Sequence, residues 1–239
     1  MIPKKIHQIF FQINKPLNEF PIFLESIASI KKIVPEYKYK LWQYDDVKIL
    51  IHSYFPKQYI FWRDNLSPIQ QIDFARWVIL YVHGGIYMDL DIILLRPLDD
   101  LLDNEYLFVE ESKKMKFKNS LMGTEEGQLI WTKLIENCES NFIEKKNIEV
   151  YKTWKVRFVL QTTGPAYLGK QLKKWLPEYV PLKNIMYDRN SKGEQGDRNY
   201  YMIDHFLGTW VPEKTQNNWV KNSPQTQKFI KKYTNEINR

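Results

Sequence analysis

A β-rich run, Ile86 to Leu95, is interrupted by two aspartates, Asp89 and Asp91, and follows directly on the doublet Gly84-Gly85. In an extended backbone, residues two apart point to one side. Asp89 and Asp91 are therefore expected to share a face, with Cα atoms roughly 6.6 Å apart. At an effective dielectric of about 20, their charges repel by about 2.5 kcal/mol. Such a pair needs a cation, a basic partner or a protonated acid beside it. A divalent metal is the economical partner, since hard cations prefer carboxylate oxygens. An acid pair at an exposed strand end, with no task, is the plainer alternative.

The flanking residues favour a site. Ser67-Pro68-Ile69-Gln70 combines a capping serine, a first-turn proline and a glutamine placed for a capping box. The helix it starts is expected to run to about Val82 and to stop at the glycine doublet. Asp73 and Arg76, three apart, share one face of it. An acid and a base thus lie on the element that leads into the acid pair.

The rest of the chain reads as alternating strands and helices. Strands are expected at 4–11, 37–42 and 106–111. Helices are expected at 19–32, from Asp45 or Asp46 to Tyr54, at 125–139, and from Thr163-Gly164-Pro165 to Trp175. That order predicts an α/β layer fold with helices covering a mainly parallel sheet. The segments 113–118 and 188–199 are polar enough to be solvated loops, or lids near a site. His7 is expected to be structural, His83 to cap a helix end and His52 to face solvent.

Composition narrows the class. The chain has 239 residues, 15% of them aromatic, and a net charge of +7. A modest basic excess suits anionic partners such as nucleotides or phospholipid surfaces. No Arg-rich arm points to nucleic acid. Cys138 is the single cysteine, so a disulfide within the chain is impossible. No signal-peptide core and no run of about 18 apolar residues is found. The expectation is a cytoplasmic protein. A C-terminal helix over 223–239, with Phe229, Ile230, Tyr233 and Ile237 on one face and lysines nearby, would either dock on the domain or touch an anionic membrane from outside.

The stretch IDFARWVILYVHGGIYMDLD resembles the signature of DXD-containing sugar transferases of glycosyltransferase family 32. That family includes initiating α-1,6-mannosyltransferases, glycolipid α-1,4-galactosyltransferases and capsule-type enzymes. The pattern is similar to that of large clostridial glucosylating toxins. IPKKIHQIFF, Thr163-Gly164-Pro165 and HFLGTW extend the resemblance along the chain. It implies a GT-A fold over 1–239: a Rossmann-like nucleotide-sugar part to about 112, an acceptor and metal-completing part over about 113–222, and the C-terminal helix.

The resemblance also implies roles. Ile9, Phe10, Asp73, Arg76, Tyr87, Asp89 and Trp210 would bind the nucleotide sugar. Phe10 stands where many relatives carry tryptophan. Asp73, Arg76 and Asp89 would be catalytic. Asp89, Asp91 and His205 would hold Mn2+ or Mg2+. The implied reaction is retaining transfer of a hexose from a UDP- or GDP-sugar to a glycan or glycolipid. Nucleotidyl transfer is a second reading, although its carboxylates usually follow the glycines by about ten residues, against four here. A paired-carboxylate glycoside hydrolase and a non-catalytic binder are others. Arg76→Ala is expected to cost catalysis more than stability.

Overall fold

The computed structural model describes residues 1–13, 15–110, 117–153, 155–183, 185–188 and 200–205. Strand β1 (Lys5–Ile9) is followed by α1 (Pro21–Ile33), β2 (Lys38–Trp42), α2 (Tyr44–Tyr54), α3 (Pro56–Asn65) and α4 (Pro68–His83). Next come β3 (Gly85–Met88), β4 (Ile92–Leu94), β5 (Tyr106–Phe108) and β6 (Leu121–Thr124). Helices α5 (Leu129–Lys146), α6 (Glu149–Thr153), α7 (Lys155–Thr162) and α8 (Pro165–Trp175) precede β7 (Met186–Asp188) and β8 (Met202–Asp204).

A five-stranded sheet has the order β2-β1-β3-β6-β5, and a three-stranded sheet the order β4-β8-β7. In the larger sheet β1 pairs parallel with β2 and β3, whereas β6 runs antiparallel to both β3 and β5. The expected mainly parallel sheet is thus mixed. Strands β5 and β6 are short segments paired through non-local bonds, and local composition does not report their direction.

Period-two alternation sorts the strand side chains between two cores. Tyr87, Tyr106, Phe108 and Met122 pack into the core shared with α2 to α5 and α8. Their neighbours Ile86, Leu107 and Leu121 face the opposite core, with α1 and the smaller sheet. Three fully buried tryptophans, Trp62, Trp77 and Trp131, fill the first core. Full burial of aromatics this large removes about 150–250 Å² of surface each.

Helix α4 begins as its sequence demands. The Ser67 N–H donates to Gln70 Oε1 at 3.1 Å, closing the capping box. It ends at Gly84, φ +57°, where a Cβ would stand 2.6 Å from the Glu126 nitrogen. At Gly85, φ +91°, a Cβ would stand 2.7 Å from the Lys5 carbonyl. The doublet therefore lets β3 enter against β1, as close approach requires.

The run Ile86–Leu95 is not one strand. Strand β3 ends at Met88, β4 starts at Ile92, and the two belong to different sheets. The Asp89 N–H donates to Ser120 O at 2.8 Å, and Ile92 N–H returns to Asp89 O at 3.2 Å. The acid pair therefore occupies a tight turn at the crossing from one sheet to the other. The extended backbone that would set both side chains on one face is absent, because these non-local partners bend the chain.

Candidate active site

Asp73 and Arg76 lie on the buried face of α4, at 3% and 4% exposure. One terminal nitrogen of Arg76 stands 3.1 Å from Asp73 Oδ1 and donates to the Asn119 carbonyl at 2.9 Å. The other stands 3.0 Å from Asp89 Oδ1. Asp73 also accepts from Asn119 Nδ2 at 3.0 Å and from Thr163 Oγ1 at 2.9 Å. Tyr87, 1% exposed, donates its hydroxyl to Asp89 Oδ1 and lies 4.9 Å beneath the guanidinium. Arg76 is therefore the hinge of a polar cluster joining α4, the β3 end, the approach to β6 and the start of α8.

Electrostatics follow from that burial. Burial pushes the Asp73 carboxyl up to about 6, against the lowering effects of Arg76, Thr163 and Asn119. Burial also raises Asp89, with Arg76 and the Tyr87 hydroxyl opposing. Burial disfavours the Arg76 charge, yet Asp89, Tyr87 and Asp73 together hold its pKa above the ordinary guanidinium value. The guanidinium is a fixed charge engaged by protein groups. Breaking a buried pair by removing one partner typically costs about 3–5 kcal/mol. Beside its expected, larger cost in catalysis, Arg76→Ala is therefore expected to carry a stability cost of that order as well.

Asp91 sits on the other side of the turn and is half-buried. Ile92 opposes Asp204 in the antiparallel β4–β8 ladder, and the His205 N–H donates to Asp91 O at 3.0 Å. The ladder thus extends by one pair and sets Asp91 opposite His205, positions whose side chains are neighbours. Asp89, by contrast, is engaged by Arg76 and Tyr87. Among the described residues, no group of three or more His, Cys, Asp or Glu side chains is arranged to hold a metal ion. The expected trio is brought together in part: Asp91 with His205, and Asp89 next to them in the turn. A carboxylate and an imidazole are donors that suit Mn2+, and Mg2+ ordinarily takes one or two carboxylates together with substrate phosphates.

Of the remaining expected nucleotide contacts, Ile9 is a core residue at the end of β1. Phe10 follows it, half-buried, with its ring centroid 6.2 Å from that of Phe20. Ile9 closes β1 and Phe10 stands just beyond its carboxyl end, as Asp89 stands beyond that of β3. Ligands of open α/β sheets bind outside these ends. Trp210, the 223–239 helix and residues 189–199 lie outside the described residues.

Several site residues had no assigned role in the sequence reading. Lys118, expected in a solvated basic loop, is buried and paired with Asp204 at 3.0 Å. Asn119 and Thr163 clamp Asp73. Gln8, fully buried, donates to the Asp89 carbonyl at 3.2 Å. Its one sequence signal is a polar residue two places from Ile6, on the same core-facing side of β1.

Residues 23–108 match the family model described as a glycosyltransferase sugar-binding region containing the DXD motif. The chain is 33% identical over 125 residues to an uncharacterized glycosyltransferase of Acanthamoeba polyphaga mimivirus, covering 52% of this chain and 49% of the relative. It is 31% identical over 175 residues to inositol phosphoceramide mannosyltransferase 3 of Schizosaccharomyces pombe, covering 73% of this chain and 46% of that protein. Identity to the mannosyl phosphorylinositol ceramide synthase SUR1 of Saccharomyces cerevisiae is 27% over 182 residues, covering 73% and 44%. The chain spans about half the length of the curated relatives it matches. The solved structure of the PaToxG glycosyltransferase superposes with a TM-score of 0.54 at 19% identity, covering 74% of this chain and 70% of that one. That likeness shows the fold, a GT-A-type α/β arrangement. The likeness to the DXD-containing glycosyltransferase sugar-binding region thus lies in residues 23–108, the stretch that carries α4, the glycine doublet and the acid turn.

Proposed function

We propose that this protein is a metal-dependent, retaining glycosyltransferase that moves a hexose from a UDP- or GDP-sugar to a glycan or glycolipid acceptor. The observation that carries the reading is the Asp89–Ile92 turn. It joins a buried Asp73–Arg76–Asp89 cluster to Asp91 opposite His205 within one short crossing between sheets. Similarity to an inositol phosphoceramide mannosyltransferase and to a mannosyl phosphorylinositol ceramide synthase favours mannose and an inositol-phosphate glycolipid.

In this reading Asp91 and His205 would hold Mn2+ or Mg2+ together with the bound donor. Such an ion, when bound, would supply Lewis-acid stabilisation of the departing nucleoside diphosphate. Arg76 keeps Asp89 in place through a charge-assisted bond, while Tyr87 fixes its rotamer. Asp89 then faces the donor's ribose or sugar hydroxyls. Phe10 lies beyond the end of β1, where a base can stack. The nucleotide part would span about 1–112. Residues 118, 163 and 205 would bring the second part, about 113–222, to the same site. No helix among the described residues is long and apolar enough to cross a membrane. A glycolipid acceptor would then be met at a membrane surface, and the 223–239 segment is a candidate for that contact.

The test is a panel of UDP- and GDP-sugars with Mn2+, read as release of free nucleoside diphosphate. One donor is expected to turn over, and chelator to stop it. Turnover that survives chelator would instead favour a paired-carboxylate hydrolase.

A further inference from the structure

Gln8 is the last but one residue of β1, and its side chain is wholly buried. Strand alternation puts it on the side of Ile6, facing α1 and the second core. Its amide is fully used. Nε2 donates to Ser26 Oγ at 2.9 Å and to the Asp89 carbonyl at 3.2 Å. Oε1 accepts from the Tyr39 hydroxyl at 2.9 Å. Ser26 Oγ in turn donates to the Ile92 carbonyl at 2.5 Å. One α1 turn further on, Ser29 Oγ accepts from the Leu94 N–H at 3.0 Å.

These bonds form one chain from the β2 strand to the acid turn. The two acceptors at its far end, Asp89 O and Ile92 O, are the first and last carbonyls of the four-residue turn that carries Asp91. Residue 8 is otherwise a core position, where an apolar side chain would pack beside Ile6 without demanding partners. A buried amide is tolerated there because every polar atom is satisfied, and what it satisfies is the backbone of the acid turn.

We propose that Gln8, acting through itself and through Ser26, is a positioning residue that sets where the turn presents Asp91. The inference rests on the metal-dependent reading above for its effect on activity, while the anchoring itself does not. Outer partners that orient metal ligands typically carry about 10–100-fold in metal affinity or activity. Gln8 would act in that way through the main chain.

The experiment compares wild type with Gln8→Met, which keeps the volume and removes the amide, and with Ser26→Ala, a milder change on a helix. Hydrogen exchange is followed over residues 89–95, and turnover is titrated with Mn2+. Gln8→Met is expected to speed exchange over 89–95 by about tenfold or more, with distant strands unchanged. The Mn2+ concentration for half-maximal turnover should rise about 10–100-fold, with turnover largely restored at saturating ion. Ser26→Ala should shift both readouts in the same direction by less, and it keeps the test alive if Gln8→Met does not fold. Unchanged exchange over 89–95 overturns the anchoring. A lowered melting temperature with an unchanged Mn2+ dependence per folded molecule shows a structural role alone and overturns the positioning. If wild type turns over no donor, the glycosyltransferase reading has failed, and the exchange comparison decides the Gln8 assignment by itself.

Discussion

The two ends of β3 each hold a buried polar cluster, and they are built on opposite principles. At the start of the strand, His7 accepts from Trp42 Nε1–H through Nδ1 at 3.2 Å, so its Nε2–H is the donor to the Gly84 carbonyl at 2.9 Å. Both ring nitrogens are used by a neutral imidazole. Burial, helped by the nearby His83, Lys5 and Lys40, lowers its pKa to about 4 although the Gly84 bond opposes the shift. At the end of the strand stand the charged Asp73, Arg76 and Asp89, with Asp89 keeping 24% of its side chain exposed. The first cluster is closed and uncharged, and it braces the sheet where the glycine doublet enters. The second keeps charges beside an accessible turn at the carboxyl end of the strands. Polar burial alone does not mark a site. Retained charge with one open side does.

The largest difference between the ends should appear on losing a charge. Arg76→Ala leaves Asp73 and Asp89 facing each other without their cation. It is expected to lower unfolding free energy by about 3–5 kcal/mol in urea titration, with turnover abolished. Arg76→Lys should restore stability in part and turnover hardly at all, since a single ammonium cannot span both carboxylates. A stable Arg76→Ala protein would erase the contrast between the two ends.

Acid titration should separate them by sign. His7 has a folded pKa near 4 against an ordinary 6.5, so between those values the unfolded chain binds more protons. Stability from His7 is present above about pH 6.5 and is lost as pH falls toward 4. Asp73 has a folded value near 6 against an ordinary 3.8, so the folded chain binds more protons in that window. Its contribution is lost as pH rises from about 4 to 6. Each is worth on the order of 3 kcal/mol at full extent, and the two act in opposite senses between pH 4 and 6. Asp73→Asn should expose the His7 slope, with stability falling on acidification, and His7→Gln should expose the opposite slope. Two parallel profiles would contradict the assignment of opposite protonation habits to the two clusters.

A smaller effect is expected at the doublet. Gly85→Ala forces a Cβ against the Lys5 carbonyl at φ +91°. It should cost about 1–3 kcal/mol in thermal or urea unfolding, with the Mn2+ dependence of the folded fraction unchanged. A shift in that dependence would show that the braced end reaches the site.

What was legible in the sequence was local. Ser67 and Gln70 announce the start of α4, and Gly84 its stop, because capping chemistry lies within four residues. Asp73 and Arg76 are readable as one face of a helix. Asp89 and Asp91 are readable as two acids that interrupt a β-rich run. The turn between them was not readable, because Ile86 to Leu95 is β-rich throughout and the bonds that bend it come from Gln8, Ser26 and Ser120, far away in sequence. Helix α3 was missed because its apolar residues follow no sharp face, and β6 to β8 because strands of three or four residues are defined by their partners. Lys118 looked like solvated charge until its carboxylate partner, 86 residues later, was brought to it.

The turn's task is tested most directly by calorimetric binding of UDP and GDP, with Mn2+ and with chelator, to wild type and Asp91→Asn. The account predicts Mn2+-dependent binding of one nucleoside diphosphate by wild type. It predicts loss of that dependence in Asp91→Asn, with the melting temperature within a few degrees of wild type. Equal binding in chelator, or an Asp91→Asn protein whose Mn2+-dependent affinity matches wild type, would contradict it.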